Sequence, residues 1–73
     1  MKEMLIEQYQ PVYDEWIEIS HRTTLAQARV AIRVYSTDNP WVWFRIRPRP
    51  MRRGTEGFQY YRKGKPVPPP EGF

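Results

Sequence analysis

The sequence contains no cysteine and only one histidine among its 73 residues. Without cysteine, the chain can form neither a disulfide framework nor a thiolate metal site. No apolar run approaches the ~18 residues that a membrane-spanning helix needs. The first residues also lack the apolar core and the small-residue cleavage site of a secretion signal. We therefore expect a soluble protein of the reducing cytoplasm that has no membrane partner.

The side chains of a catalytic centre are equally scarce. Ser20 and His21 are neighbours, and neighbours in a strand point to opposite faces, so they cannot form a hydrogen-bonded dyad there. Asp14, Glu15 and Glu18 form a carboxylate cluster, but no further acid or histidine joins them at metal-ligand spacing. The sequence therefore predicts a binding protein rather than an enzyme, with no metal and no cofactor.

The charge is unevenly distributed along the chain, although its total is only +4. Residues 1–20 carry one lysine against five carboxylates, a net charge of −4. Residues 21–73 carry eleven lysines and arginines against three carboxylates, a net charge of +8. Such asymmetry indicates a basic face that meets an acidic partner, either a nucleic acid or an acidic protein surface.

The clearest secondary-structure signal is a helix in the segment RTTLAQARVAIRVY. Thr24 can cap its N-terminus, and Gln27 stands at the position of a capping-box partner. Pro40 disfavours helical geometry at the residue before it, so we expect the helix to end there. One apolar stripe at helical spacing would face the core, formed by Leu25, Ala28, Ala31, Ile32 and Tyr35.

Strand-like segments lie on both sides of this helix. They are VYDEWIEIS, WVWFRIR and, more weakly, FQYYRKGKPV with a turn at Lys63-Gly64. The order strand, helix, strand, strand predicts an α+β domain in residues 1–67, with one helix on a three-stranded sheet. The opening MKEMLIEQY is expected to form a helical turn or an irregular arm on the sheet. Residues 68–73 are expected to form a flexible, proline-rich tail.

The segment WVWFRIR alternates sharply between two faces. We expect Val42, Phe44 and Ile46 to pack under the helix together with Ile17 and Ile19. The opposite face would then present two tryptophans and two arginines, which continue into a basic loop. The candidate binding residues are Trp41, Trp43, Arg45, Arg47, Arg49, Arg52 and Arg53. Trp and Arg are the residue types most enriched at interface hot spots, and small domains rarely expose two tryptophans without using them.

An alternative arrangement covers this face instead. The N-terminal segment could fold over it, with Met4, Leu5 and Tyr9 on the tryptophans and with Glu15 or Glu18 paired to the arginines. If the face is open, aromatic residues among arginines suit single-stranded RNA or DNA through stacking and phosphate contact. The same residues suit a protein with an acidic groove. The sequence has neither a GXXG loop nor an RNP-type run, so the two partners stay open.

The segments EWIEIS, TTLAQARVA and FRIRP, in this order, resemble the very small early proteins of lytic bacteriophages that bind host RNA polymerase. In that family, arginines of the strand engage an acidic part of the polymerase, and Arg45 and Arg47 stand at the matching places. The resemblance covers residues 14–50. It implies a regulator in the bacterial cytoplasm that binds RNA polymerase, at the β′ subunit, and inhibits host transcription or promotes antitermination. We expect the protein to be a monomer. The alternatives are a nucleic-acid-binding module or an inhibitor of another bacterial protein.

Overall fold

The computed structural model of the protein describes residues 3–50 and 57–70. These residues form one antiparallel sheet and one helix, α1, at Leu25–Asp38. The α+β class is confirmed, but the sheet has five strands in the order β2-β1-β3-β4-β5 rather than three. The strands are β1 Glu3–Gln10, β2 Glu15–Arg22, β3 Phe44–Arg49, β4 Gln59–Arg62 and β5 Lys65–Val67.

The N-terminal segment is a strand of this sheet, so the expected helical turn or arm is wrong. β1 lies between β2 and β3 and pairs with both in antiparallel fashion. Three successive residues, Leu5, Ile6 and Glu7, are buried, because both faces of β1 are covered. Such a strand has no alternation of apolar and polar residues, which is why the pattern did not indicate it.

Helix α1 begins and ends where the sequence predicts. Thr24 has extended backbone geometry, and its side-chain oxygen accepts a hydrogen bond from the Gln27 backbone N–H at 3.2 Å. At the other end, the Asn39 backbone N–H donates to the Tyr35 carbonyl at 3.0 Å. The cap therefore satisfies an amide that would otherwise lack a partner at the helix N-terminus.

The helix packs on one face of the sheet and closes the core there. The buried cluster consists of Ile6, Ala28, Ile32, Phe44, Ile46 and Tyr61. Phe44 and Ile46 confirm the register predicted for β3, and Val42 is partly buried against the same cluster. Ile17 and Ile19 do not join the core, since they are 39% and 38% exposed. They lie on β2, which is an edge strand that the helix covers incompletely.

The predicted turn at Lys63-Gly64 connects β4 and β5 as a two-residue hairpin loop. Both residues have positive φ, 56° and 77°, as a type I′ turn requires. The Gly64 backbone N–H donates to the Ser36 hydroxyl at 3.0 Å. A Cβ at Gly64 would lie 2.5 Å from the Thr37 hydroxyl oxygen, so only glycine fits this approach. The hairpin turn is thereby held against the last turn of α1.

The proline-rich segment follows β5. Pro66 and Val67 belong to that strand, and residues 68–70 have no regular structure. The last three residues of the expected tail, 71–73, lie outside the described residues. Helix α1, in the described part of the chain, is neither long enough nor apolar enough to cross a membrane.

Candidate binding site

The face of the sheet opposite the helix carries a buried carboxylate between two arginines. Directly paired residues of antiparallel strands share a face, and Glu7 pairs with Arg45. Arg45 Nε lies 2.7 Å from Glu7 Oε1, and Arg47 Nε lies 3.0 Å from Glu7 Oε2. The Glu7 side chain is only 5% exposed. One carboxylate therefore neutralises part of the charge of two strand arginines.

Aromatic rings enclose Arg45 on this face. Its guanidinium carbon lies 4.3 Å from the ring centroid of Trp16 and 4.8 Å from that of Phe58. Trp16 also meets Tyr60 edge-on, with ring centroids 5.7 Å apart. Cations stacked on rings and shielded from water gain more than exposed ones do. We call these residues, Glu7, Trp16, Arg45, Arg47 and Phe58, the arginine layer.

The arginine layer corrects the expectation that the strand arginines are accessible. The Arg45 and Arg47 side chains are 15% and 27% exposed. The alternative in which the N-terminal segment folds over this face does not hold, because that segment is strand β1 inside the sheet, where Leu5 and Glu7 are buried beside the arginines. It is wrong about the partner, since the pairing carboxylate is Glu7 rather than Glu15 or Glu18.

Arg49 is paired more loosely at the end of β3. Its Nε and Nη2 donate to Glu3 Oε2 at 3.1 and 2.7 Å. The side chains are 57% and 34% exposed, so this pair faces solvent. Arg52 and Arg53, the other two predicted binding arginines, lie outside the described residues.

The two tryptophans of the candidate set lie apart from the arginine layer. β3 begins at Phe44 rather than at Trp41, because the chain turns just before it, with the Val42 backbone N–H donating to the Asn39 carbonyl at 3.1 Å. Trp41 is 74% exposed, whereas Trp43 is half-buried. The predicted site therefore separates into two groups of residues.

Both tryptophans contact cations of the β4–β5 hairpin. The Arg62 guanidinium carbon lies 4.9 Å from the Trp43 ring centroid, and Lys63 Nζ lies 4.8 Å from the Trp41 ring centroid. Lys65 follows directly after the turn. We call these five residues the tryptophan–cation surface. The hairpin cations were missing from the sequence-based site, although the run RKGK at the predicted turn was a visible signal.

The cations of this surface have no carboxylate partner among the described residues. Within residues 3–50 and 57–70, the ion pairs involve other basic residues, and Arg62, Lys63 and Lys65 form none. Arg62 Nε is also buried without a hydrogen-bond acceptor in the described part of the chain. Within the described part of the chain, the hairpin cations therefore differ from the strand arginines, which are paired with Glu7 and Glu3.

Two depressions lie on this surface, and the tryptophans line one of them. One, of about 410 Å³, is lined by the hairpin residues Arg62, Lys63, Lys65, Pro66 and Val67. The other, of about 330 Å³, is mainly apolar and is lined by Tyr9, Pro11, Trp41, Val42 and Trp43. The contact between Lys63 and Trp41 joins the basic depression to the apolar one. A ligand on this surface would meet positive charge and apolar area side by side.

Tyr9 places one polar group at the apolar depression. Its hydroxyl donates to Asp14 Oδ1 at 2.5 Å, across the turn that joins β1 and β2. This hydrogen bond, with smaller contributions from desolvation and from the Asp14 charge, raises the pKa of Tyr9 above its ordinary value. The tyrosine therefore stays protonated at physiological pH and contributes no negative charge to the surface.

The tryptophan–cation surface consists of aromatic rings and cations. No group of three or more His, Cys, Asp or Glu side chains able to hold a metal ion occurs among the described residues. His21 lies 3.8 Å from Glu18 on the opposite edge of the sheet, away from both tryptophans. Comparisons of the chain with family models, with curated proteins and with solved structures find no match.

Proposed function

We propose that the protein is a regulator that acts by binding bacterial RNA polymerase, with inhibition of transcription or antitermination as the outcome. The observation that supports it is a set of three hairpin cations beside an exposed tryptophan, none of which forms an ion pair with another described residue. The partner implied by the resemblance is an acidic part of the polymerase, and the β′ subunit is the first candidate. The protein acts in the bacterial cytoplasm in this proposal.

The proposed docking residues differ from those that the resemblance implies. There, the arginines of the strand engage the polymerase, whereas Arg45 and Arg47 here contact Glu7. Exposing them to a partner would leave a buried carboxylate without its counter-charges, which is costly. We therefore assign the contact to the tryptophan–cation surface, whose charges need no internal rearrangement.

The hairpin offers these charges in a fixed geometry. Its turn is tied to α1 through Ser36, and Arg62 is stacked on Trp43. Fixed side chains lose less conformational entropy on binding than free ones, so each contact contributes more to affinity. An acidic segment that also carries an apolar side chain would fill both depressions of the surface.

The test is a binding measurement with purified bacterial core RNA polymerase at physiological salt. Wild-type protein should retain the enzyme, while Lys63→Glu should weaken binding by about tenfold or more, since it places like charges together. Arg33→Glu is the matched control, because it makes the same charge change at an exposed helix position. Failure of the wild-type protein to bind any polymerase subunit would overturn the proposal.

A single-stranded nucleic acid is the second candidate partner, and the exposure of Trp41 favours it. This ring is 74% exposed and carries an ammonium group near it, so a base can stack on it while Lys63 meets a phosphate. Titration of a labelled oligonucleotide at two salt concentrations separates the cases. Binding that persists at physiological salt and requires Trp41 would support this candidate, and binding lost there would leave charge attraction alone.

A further inference from the structure

The two edges of the sheet are built differently. β5 is three residues long and contains Lys65 and Pro66, both of which discourage pairing with another strand. β2 is eight residues long, contains no proline, and is paired on one side only among the described residues. Its outer row of backbone N–H and C=O groups is a template for another strand.

Exposed apolar side chains lie along the same edge. Ile17 points to the helix side of the sheet, since it pairs with Gln8, which in turn pairs with the buried Phe44. Ile17 and Ile19 are 39% and 38% exposed. An apolar strip on the outer edge of a sheet, next to the backbone of an edge strand, is typical of an interface.

Helix α1 adds exposed apolar side chains next to this strip. A groove of about 420 Å³ runs between β2 and the helix and is lined by Arg22, Gln27, Val30 and Ala31. Val30 is 67% exposed, and Val34, one helical turn further, is 57% exposed. Four of the seven large apolar side chains that are exposed among the described residues therefore belong to β2 or α1.

The charges of β2 are ordered along the strand. Glu15 and Glu18 occupy its first half, and His21 and Arg22 occupy its second half. Two antiparallel copies of such a strand place the acidic half of each against the basic half of the other. Within the described residues, neither Glu15 nor Arg22 forms an ion pair, and Arg22 Nη1 donates to the Ser20 hydroxyl and to the His21 carbonyl of its own strand. We propose that the occupant of this edge is a second copy of the chain, paired through β2 in a two-fold dimer.

The β-bulge in β2 is compatible with this pairing. The register against β1 shifts between Ile6 and Glu7, so that Ile19 is the extra residue. Glu15 and Arg22 therefore both point to the helix side of the sheet, because their partners on β1 are Gln10 and Met4. Opposite residues of an antiparallel pair must share a face, and the pair Glu15–Arg22 of two copies meets this condition.

The pairing also brings like charges together at one place. With Glu15 opposite Arg22, Glu18 falls on the two-fold axis and meets its own counterpart. Like charges directly opposite each other in a sheet are destabilising. Glu18→Gln should therefore strengthen the dimer, while substitutions that break the Glu15–Arg22 contacts should weaken it.

Sedimentation equilibrium of the full chain over a range of concentrations tests the proposal. The mass should rise from 8.9 kDa toward twice that value as the concentration increases. Glu15→Arg and Arg22→Glu should each raise the dissociation constant by about tenfold or more, because each makes the strand ends repel. Glu18→Gln should lower it. A protein that stays at 8.9 kDa up to millimolar concentration would overturn the proposal.

Mixing the two charge-reversed variants gives the sharpest result. Glu15→Arg presents two positive strand ends and Arg22→Glu presents two negative ones, so an equimolar mixture should dimerise about as tightly as the wild type. A structural defect in either variant would not be cured by mixing. A mixture that stays monomeric while the wild type dimerises would overturn the assignment to β2. Circular dichroism of each variant controls for folding.

This inference does not depend on the proposed polymerase contact. The hairpin cations and β2 lie at opposite edges of the sheet, so each can be altered alone. A Lys63→Glu variant should dimerise like the wild type. A Glu15→Arg variant should remain monomeric and still bind RNA polymerase, with one protein monomer per binding site. Loss of dimerisation with Lys63→Glu would contradict the use of β2.

Discussion

The basic residues of β3 and those of the β4–β5 hairpin belong to the same sheet but have different surroundings. Arg45 and Arg47 contact the buried Glu7, and Arg49 contacts Glu3. Lys63 and Lys65 form no ion pair with any carboxylate of the described residues. The density of arginines in the sequence therefore does not show which of them are paired. In this protein the positions of Glu3 and Glu7 decide which of the described cations form ion pairs.

Among the substitutions that test this difference, removing the buried carboxylate should lower the free energy of unfolding the most. Glu7→Gln removes the counter-charge of Arg45 and Arg47, which are only 15% and 27% exposed. We expect a loss of about 3 kcal/mol in the free energy of unfolding, measured by urea denaturation, because a partly buried pair of cations is left uncompensated.

Glu3→Gln is the matched control for this variant. It removes a carboxylate from an exposed pair on the same strand, so we expect a loss of less than about 1 kcal/mol. Equal effects of the two variants would mean that the arginine layer is not held by Glu7. In that case Arg45 and Arg47 would return as candidates for partner binding.

Removing one arginine should have an intermediate effect. Arg45→Ala loses the contact with Glu7 and the stacking on Trp16 and Phe58, so we expect a loss of about 2 kcal/mol. Arg47 still compensates Glu7, which makes the loss smaller than that of Glu7→Gln. This expectation reverses the one drawn from the sequence, in which Arg45 is a surface residue.

Arg45→Lys separates charge from stacking in the same position. The lysine keeps the positive charge near Glu7 but lacks the planar group that lies between the two rings, so we expect a loss of about 1 kcal/mol. Unfolding curves of the three proteins, compared under identical conditions, check the order. A lysine variant as unstable as the alanine variant would show that stacking, rather than charge, holds Arg45.

The sequence predicted the helix and the core register of β3 because their signals are local. The Thr24 cap, the apolar stripe and Pro40 lie within one segment, and Phe44 and Ile46 alternate in the next. The role of Glu7 could not be predicted in this way. Its partners lie 38 and 40 positions away in the chain, and they meet it only because β1 is inserted between β2 and β3. A contact that depends on strand order has no periodic signature.

The candidate site also combines features with a local sequence signal and contacts that depend on strand order. Trp41 and Trp43 were predicted as binding residues, and each of them contacts a cation of the hairpin. Those charges belong to Arg62 and Lys63, which reach the tryptophans through the pairing of β3 with β4. The alternation of WVWFRIR placed tryptophans and arginines on one face as if the strand were straight and isolated. The turn before Phe44 and the neighbouring strands separate them.

The smallest change in stability should come from the hairpin cations. Lys63→Ala and Lys65→Ala remove side chains that form no ion pair among the described residues, so the free energy of unfolding should change by less than about 0.5 kcal/mol. The same variants should weaken polymerase binding, with a shallower dependence of affinity on salt, because rim charges act mainly through association. Trp41→Ala should weaken binding further at unchanged stability, since its ring is already 74% exposed. If Lys63→Ala destabilised the fold as much as Arg45→Ala, the two groups of cations would contribute equally to stability. That result would contradict the assignment of the hairpin as the docking surface.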